Sequence, residues 1–317
     1  MRKVVVTGGS GFVGRRLVDE LLARGDQVTV LTRDPSRARR KLAAATRCVA
    51  WTPVTMGGAP AQPAKDGAWT DELEAADAVV HLAGEPVAQR WTPEARARIV
   101  ASRVDSTRAL VEAIGRRAKK PAVLVSASAV GYYGPRSPDE ALDEGSAPGE
   151  GFLADVVKRW EVEAQAAGKL GVRDVELRIG VVLGEGGGAV DKMIPPFRLF
   201  VGGPIGDGRQ VIAWIHRDDV VGLILFAIDD ERVKGPLNAV APNPATSAEL
   251  ARAIGRVLRR PAWIPAPSFA VKLLMGGEAA SVVLTGQRVL PRRALDLGYA
   301  FHHPELGPAL ASILVEG

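Results

Sequence analysis

Short apolar runs alternate with helical spacings through the first two thirds of the chain. Lys3–Thr7, Gln27–Thr32, Ala78–Leu82, Ala122–Ser126 and Asp174–Arg178 are brief, mostly valine-rich segments that read as strands. Between them, Phe12–Arg24 places Phe12, Leu17, Leu21 and Leu22 on one helical stripe. Pro93–Arg117 does the same with Ile99, Val104, Leu110, Val111 and Ile114, and Gly151–Ala167 with Val156, Val157, Trp160 and Ala164. Strands each followed by a helix predict an α/β fold, a doubly wound parallel sheet with right-handed crossovers. The pattern loosens after residue 183, where Gly184–Gly188 and Gly202–Gly208 are dense in loop-forming residues. Helices return at Asp218–Ile228 and at Ser247–Leu258, with Ser247 expected as the N-cap. The expected organisation is a nucleotide-binding domain over residues 1–183 and a smaller C-terminal α/β substrate lobe over residues 184–317. Elements of the sheet domain are expected to recur around residues 210–240.

The first turn carries the candidate chemistry. Gly8, Gly11 and Gly14 are spaced G-x-x-G-x-x-G, directly after a predicted strand and at the opening of a predicted helix. Gly8 permits the tight turn, Gly11 lets backbone approach a pyrophosphate, and Gly14 lets helix and strand touch. Free amides at a helix start then face an anion, assisted by the helix dipole. This context turns a weak motif into the phosphate-binding turn of an NAD(P)-binding Rossmann fold, with Gly8, Ser10, Gly11, Phe12, Val13 and Gly14 around the cofactor. At the end of the second strand, where NAD sites place an acidic residue, the order is Thr32-Arg33-Asp34. Arg33 holds the tip and Asp34 comes one residue late, and a guanidinium there suits a 2′-phosphate. The expected cofactor is NADP(H).

Composition supports a folded chain. Of 317 residues, 47% are hydrophobic and 24% charged, which excludes disorder over most of the length. No apolar run reaches the roughly 18 residues of a membrane span. Cys48 is the single cysteine and rules out an internal disulfide. His81, His216, His302 and His303 lack metal-site spacing, so no metal is expected. A net charge of +5 suits an anionic cofactor or nucleic acid. No basic block is read beside aromatic residues, which favours the cofactor. The expected partner is a small-molecule substrate, with room for a homodimer and with neither nucleic acid nor a membrane. The opening residues show no apolar leader, so the cytoplasm is the expected compartment.

Four segments in fixed order carry a resemblance: Gly8–Gly14, His81-Leu82-Ala83-Gly84, Ser126–Gly134 and Trp214–Asp219. Together they resemble the extended short-chain dehydrogenase/reductase superfamily, and most closely its "epimerase family" subgroup of NAD-dependent epimerase/dehydratase-like proteins. Gly84-Glu85, Arg90-Trp91, Ser102-Arg103, Gly180–Gly184 and Gly202–Gly206 strengthen it, and the resemblance spans essentially the whole chain. It implies hydride transfer to or from a carbonyl or alcohol carbon. It also implies cofactor contacts at Thr32, Arg33, Leu82, Ala83, Gly84, Arg103 and Val182. Gly184–Gly188 and Lys192–Phe200 are expected as a mobile lid.

The superfamily's hydride-transfer members use Ser, Tyr and Lys, the last two four residues apart on one helix face. Here Lys158 lies in the expected helix, but four residues earlier stands Ala154. The Y-x-x-x-K pair is absent. The substitutes expected to act are Ser128, Tyr132, Tyr133 and Lys158. Two readings stand at this level: an NADP(H)-dependent oxidoreductase or epimerase, and an NADP(H)-binding regulatory or sensor protein with little catalysis. Both require the purified protein to bind NADP(H) more tightly than NAD(H). Arg33→Ala is expected to weaken NADP(H) alone, by at least about tenfold on loss of a charge-assisted contact; titration calorimetry with both cofactors checks it.

Overall fold

The alternation of Val4, Val5 and Val6 sets the first strand's two faces, and both are buried. Val4 and Val6 enter one core cluster and Val5 the other, on opposite sides of a sheet. Seven parallel strands build that sheet in the computed structural model, which describes residues 1–52 and 67–315. They are β1 (Lys3–Thr7), β2 (Gln27–Thr32), β3 (Arg47–Ala50), β4 (Ala78–His81), β5 (Val123–Ala129), β6 (Arg173–Ile179) and β7 (Gly235–Ala239). Their spatial order is β7-β6-β5-β4-β1-β2-β3. The order reverses between β4 and β1, and a crevice opens at such a switch point beyond the strands' carboxyl ends.

The helix Phe12–Ala23 and the helix Arg217–Asp229 cover one face. Leu17, Val18 and Leu21 from the first, and Val220, Leu223, Ile224 and Ala227 from the second, pack on Val4, Val6, Val28 and Val30. Leu110 and Ile114 of the helix Ser106–Gly115 cover the other face, against Val5, Leu31 and Leu124. The doubly wound sheet is therefore as the sequence predicts.

Some local expectations shift. The stretch expected as one helix over Pro93–Arg117 divides into Pro93–Val100, a π-helical turn Ala101–Asp105, and Ser106–Gly115. The cap of Ser247–Leu258 is Thr246, not Ser247. Thr246 Oγ1 accepts the Glu249 amide at 3.2 Å, and Glu249 Oε2 accepts the Thr246 amide at 2.7 Å, a reciprocal capping box. Ser247 is the first helical residue, and its hydroxyl accepts the Ile205 amide. The reading that no basic block adjoins aromatic side chains is also overturned. Arg260 lies 4.5 Å over the Phe200 ring, three residues before exposed Trp263.

Residues 184–317 do not separate cleanly from the sheet. The Arg217–Asp229 helix belongs to the main core, and β7 pairs with β6 as the sheet's edge. The remainder forms a second core of Leu183, Phe197, Trp214, Leu250, Ile254 and Leu310. Asp219, fully buried, ties the two together: its carboxylate accepts the amides of His302 at 2.7 Å and His303 at 2.9 Å. Among the described residues no helix is long and apolar enough to cross a membrane.

Glu176 on β6 is fully buried, and among the described residues neither carboxylate oxygen has a hydrogen-bond partner. Burial, with Asp174 and Glu161 nearby, pushes its carboxyl up to about 9. Folded Glu176 thus holds its proton while the unfolded chain releases one near the ordinary 4.5. Its contribution is complete below that value and is lost as pH rises towards 9, by up to roughly 1.4 kcal/mol per pH unit. Glu176→Gln, a mimic of the neutral form, is expected to be more stable than the native chain at mildly alkaline pH and no more stable in mild acid. Urea denaturation at both pH values checks this; an equal difference at the two would contradict it.

Candidate functional site

The crevice begins with a cradle that has no room for side chains. Gly8 has φ +70°, and a Cβ there would lie 2.7 Å from the Leu82 carbonyl carbon and 2.8 Å from the Ala83 amide nitrogen. A Cβ at Gly14 would lie 2.2 Å from the Gly8 carbonyl oxygen. Gly11 is exposed, a Cβ there would lie 3.1 Å from the Gly8 carbonyl oxygen, and the helix Phe12–Ala23 starts after it with no side-chain cap. Ser10 and Val13 flank that start, half-buried. The Thr7 hydroxyl fixes the far side of the turn. It accepts the Ala83 amide at 3.2 Å and meets His81 Nδ1 at 2.6 Å. Burial holds the His81 imidazole down to about 3, with Arg103 adding to the shift, so His81 is neutral at physiological pH. The bend Leu82-Ala83-Gly84 is thus held against Gly8 from both sides.

Arg33 stands at the end of β2, exposed, and makes no ion pair with any described residue. Asp34 is occupied instead as a helix cap, accepting the Arg37 amide at 2.9 Å. The acidic group that an unphosphorylated ribose would use is therefore withdrawn, and a guanidinium is left in its place. Thr32 is half-buried beside it.

Arg103 projects from the π-helical turn Ala101–Asp105. Its guanidinium lies 5.3 Å over the Trp160 ring, and a Cβ on Gly84 would meet it at 3.3 Å. Nη1 donates to the Glu85 carbonyl at 2.9 Å. Ser102 supports the same loop by accepting the Glu85 amide at 2.9 Å. Burial lowers the Arg103 pKa to about 10, opposed by Glu85. A largely desolvated cation without a bonded carboxylate is a favourable neighbour for an anion. The cradle, Arg33 and Arg103 together fit a dinucleotide carrying phosphate.

The expected lid is placed differently. A Cβ on Gly184, Gly187 or Gly188 would fall within 2.9 Å of the Phe12 ring, so this loop packs on the glycine turn itself. Arg217 stacks 5.2 Å from the same ring and donates to the Glu185 carbonyl at 2.7 Å. Val182 lies just before that loop, on the short strand Val181–Leu183 that pairs with Trp214–His216. Much of Lys192–Phe200 is helix, with Ile194 and Phe197 in the second core.

Ser128 and Tyr133 enter a buried network. Ser128 Oγ donates to Glu161 Oε1 at 2.6 Å. Arg178 grips the same carboxylate with two bonds of 2.8 Å, and its Nη1 donates to the Tyr133 hydroxyl at 3.0 Å. Tyr133 donates to Asn238 Oδ1 at 2.7 Å, and the Asn238 amide reaches Glu144 Oε1 at 2.9 Å. Burial pushes the Tyr133 phenol up to about 12 although Arg178 pulls the other way. Burial also opposes the charge of Arg178, but its bond to Glu161 outweighs this and leaves its pKa above the ordinary value. Tyr132 differs. Its ring lies 3.5 Å under the Arg178 guanidinium, it is only partly buried, and its hydroxyl has no hydrogen-bond partner among the described residues.

Lys158 sits apart from this group, its ammonium held at 2.7 Å by Asp155 on the helix Phe152–Gln165. The side chains of that helix nearest Gly131, at the end of β5, are Leu153 and Val157, four residues apart. Sequence reasoning missed Glu161, Arg178, Asn238 and Glu144 as a unit. Two charged groups within otherwise apolar strand and helix stripes were the available signal. His216 and His303, distant in sequence, stack at 3.8 Å beside Asp218. His216 Nδ1 accepts the Asp218 amide, and the ring planes are tilted by only 33°, so their in-plane lone pairs do not converge.

Removing Glu161 would strand Arg178 as an unpaired buried charge. Glu161→Ala is expected to lose about 3–5 kcal/mol of stability, and Ser128→Ala about 1 kcal/mol. Urea denaturation of the two variants checks the order, which equal losses would contradict.

Comparison with known proteins agrees with this geometry. A model of the NAD dependent epimerase/dehydratase family matches residues 4–239, and a domain of unknown function, DUF1731, matches residues 266–313. The chloroplastic epimerase family protein SDR39U1 homolog of Arabidopsis thaliana is 43% identical over 98% of this chain and 86% of its own length. Epimerase family protein YfhF of Bacillus subtilis is 34% identical over 99% of this chain and 98% of its own. The crystal structure of human epimerase family protein SDR39U1, isoform 2, with NADPH matches with a TM-score of 0.83 at 38% identity, covering 98% of each chain.

Proposed function

This chain belongs to the NAD dependent epimerase/dehydratase family, and from that premise we propose that it is an NADP(H)-dependent oxidoreductase or epimerase acting on a small carbonyl or alcohol. The observation that carries the cofactor choice is the pairing at the end of β2: Asp34 committed to a helix cap, Arg33 exposed and without an ion pair. The relative of 38% identity whose crystal structure contains NADPH supports the same choice. Gly8, Gly11 and Gly14 with the Phe12–Ala23 amides would hold the pyrophosphate. Thr32 and Arg33 would hold the adenosine end. Leu82–Gly84, Arg103 and Val182 would line the remainder. A nicotinamide, when bound, supplies or accepts hydride at C4.

The chain's own task is then to move a proton at the substrate oxygen. We assign this to Tyr132, in the turn that follows β5, whose hydroxyl has no hydrogen-bond partner among the described residues. Tyr133 and Ser128 act one step away. Their hydroxyls are bound to Asn238 and Glu161, which fixes the turn carrying Tyr132 and sets Arg178 against its ring. Lys158 is held by Asp155 and contributes charge at the periphery.

A second reading, an NADP(H)-binding protein with little turnover, is favoured by one observation. Apolar Leu153 and Val157 are the helix side chains nearest Gly131, where a proton relay would be useful. The test mixes protein and NADPH with aldehydes, ketones and quinones, follows the reduced-nicotinamide absorbance, and analyses products so that net-neutral epimerisation is seen. Tyr132→Phe is expected to reduce turnover by about a hundredfold, the share of a general acid, with NADPH affinity unchanged. Undiminished turnover would remove Tyr132 from its role, and tight binding without product on any substrate would favour the second reading.

A further inference from the structure

On the second lobe, far along the chain from the glycine turn, two turns expose apolar side chains together. The helix Val190–Arg198 ends in Leu199, Phe200 and Val201, which are 71%, 55% and 50% exposed. Phe200 takes φ +64°, a left-handed conformation disfavoured for an aromatic residue. The Ile264 amide donates to the Gly202 carbonyl at 3.2 Å and joins this turn to a second, where Trp263 is 75% exposed. Isolated exposed leucines need no explanation, but a contiguous cluster of this kind marks an interaction surface.

The charge around the cluster is mostly positive. Arg252 and Arg256 lie one turn apart on the exposed face of the helix Ser247–Leu258, and the chain leaves that helix through left-handed Arg259 and then Arg260. These four arginines line one surface hollow, and none forms an ion pair with a described residue. Arg260 spans the two features, its guanidinium 4.5 Å over the Phe200 ring. Glu249 offsets part of the charge at the Arg252 end, but four neighbouring guanidiniums leave the hollow net positive, so a negatively charged surface is favoured against it. A second copy of the chain presenting the same patch would bring four more cations.

We propose that this face docks on the surface of an anionic lipid bilayer. Apolar tips at two adjacent turns, rimmed by arginines, match the requirements for shallow interfacial insertion: Trp and Leu at the acyl boundary, guanidiniums at the phosphates. A nucleic acid would use the arginines and the aromatic rings but leaves Leu199, Val201 and Ile264 without a role. A bilayer takes up all of them and requires no complementary groove. The docking is peripheral and consistent with the absence of a spanning helix among the described residues. It is independent of the cofactor reading.

The test is co-sedimentation of the full chain with vesicles of phosphatidylglycerol and phosphatidylcholine in equal parts, beside vesicles of phosphatidylcholine alone. Partition is expected only with the anionic vesicles, and is expected to fall in high salt. The double variant Arg256→Gln, Arg260→Gln should lose about thirtyfold in partition, the effect of two basic residues near such a surface. Trp263→Ser should lose partition in the low-salt arm as well. Arg256, Arg260 and Trp263 are all exposed, so thermal melts of the variants followed by circular dichroism should be unchanged. Three results would overturn the proposal: no preference for anionic vesicles, variants that partition like the native chain, or native-chain binding to single-stranded RNA that is stronger than to anionic vesicles and is lost in the same variants.

Discussion

The bidentate pair between Arg178 and Glu161 is the constraint on which the turn carrying Tyr132 and Tyr133 depends. Both groups are buried, and in the interior neither charge is tolerable alone. The pair joins β6 to the helix Phe152–Gln165. Through Ser128 it reaches β5, and through Tyr133, Asn238 and Glu144 it reaches β7 and the connection before the helix. Each hydroxyl and amide in the chain of bonds satisfies its neighbour. The position of Tyr132 is therefore fixed by contacts that Tyr132 does not make with its own hydroxyl. A network of this kind gains directional specificity where an apolar core of equal volume would give only packing.

What could be read in the sequence was what depends on near neighbours. The valine alternation of β1 and the stripe Leu17, Val18, Leu21 are short-range patterns, and they report burial correctly. The glycine turn was legible because three close approaches fall within seven residues of one another. By contrast, β7 reads Gly-Pro-Leu-Asn-Ala and has no strand signature of its own. It is a strand because β6 offers it an edge, where Pro236 is tolerated. β3 is likewise a short edge strand that opens on an arginine. The network was illegible for a related reason. Glu161 lies 17 residues from Arg178, and Asn238 lies 94 residues from Glu144, so only the folded sheet brings them together. The basic and aromatic surface was closer to hand. Arg259, Arg260 and Trp263 lie within one short stretch, but Arg252, Arg256 and Phe200 join them only through helix periodicity and a tertiary contact.

The two ends of the crevice use opposite electrostatic strategies. At the dinucleotide end the fixed charges are positive: Arg33 is exposed, Arg103 is largely buried, and neither bonds a carboxylate of the described residues. They are prepared for an anion that the chain itself does not supply. Around Arg178 and Glu161 the two buried charges match each other, and Glu176 on the same strand is held in its neutral form. The first arrangement favours affinity for a phosphorylated ligand. The second leaves the buried groups around Arg178 with their charges fixed.

The same logic bears on how the second lobe contributes. It is not attached by a linker that would let it swing. Asp219 receives the amides of His302 and His303, Glu144 receives that of Arg293, and Gly184–Gly188 closes on Phe12 of the glycine turn. Buried carboxylates bonded to backbone amides are expensive to break, because the charge would be left unsolvated. Large hinge closure is thus disfavoured between sheet and lobe. The helical pair Ser268–Met275 and Gly277–Leu284 buries Ala279 and Ala280 and receives Gln210 at the Val283 carbonyl, whereas its bonds to Arg90 at the Leu273 carbonyl and Arg96 at Glu278 lie at the surface. Exposed ion pairs of that sort contribute little. The cofactor cradle and the Arg178 network are thus held by buried bonds, and only the Arg90 and Arg96 contacts to this pair rest on exposed groups.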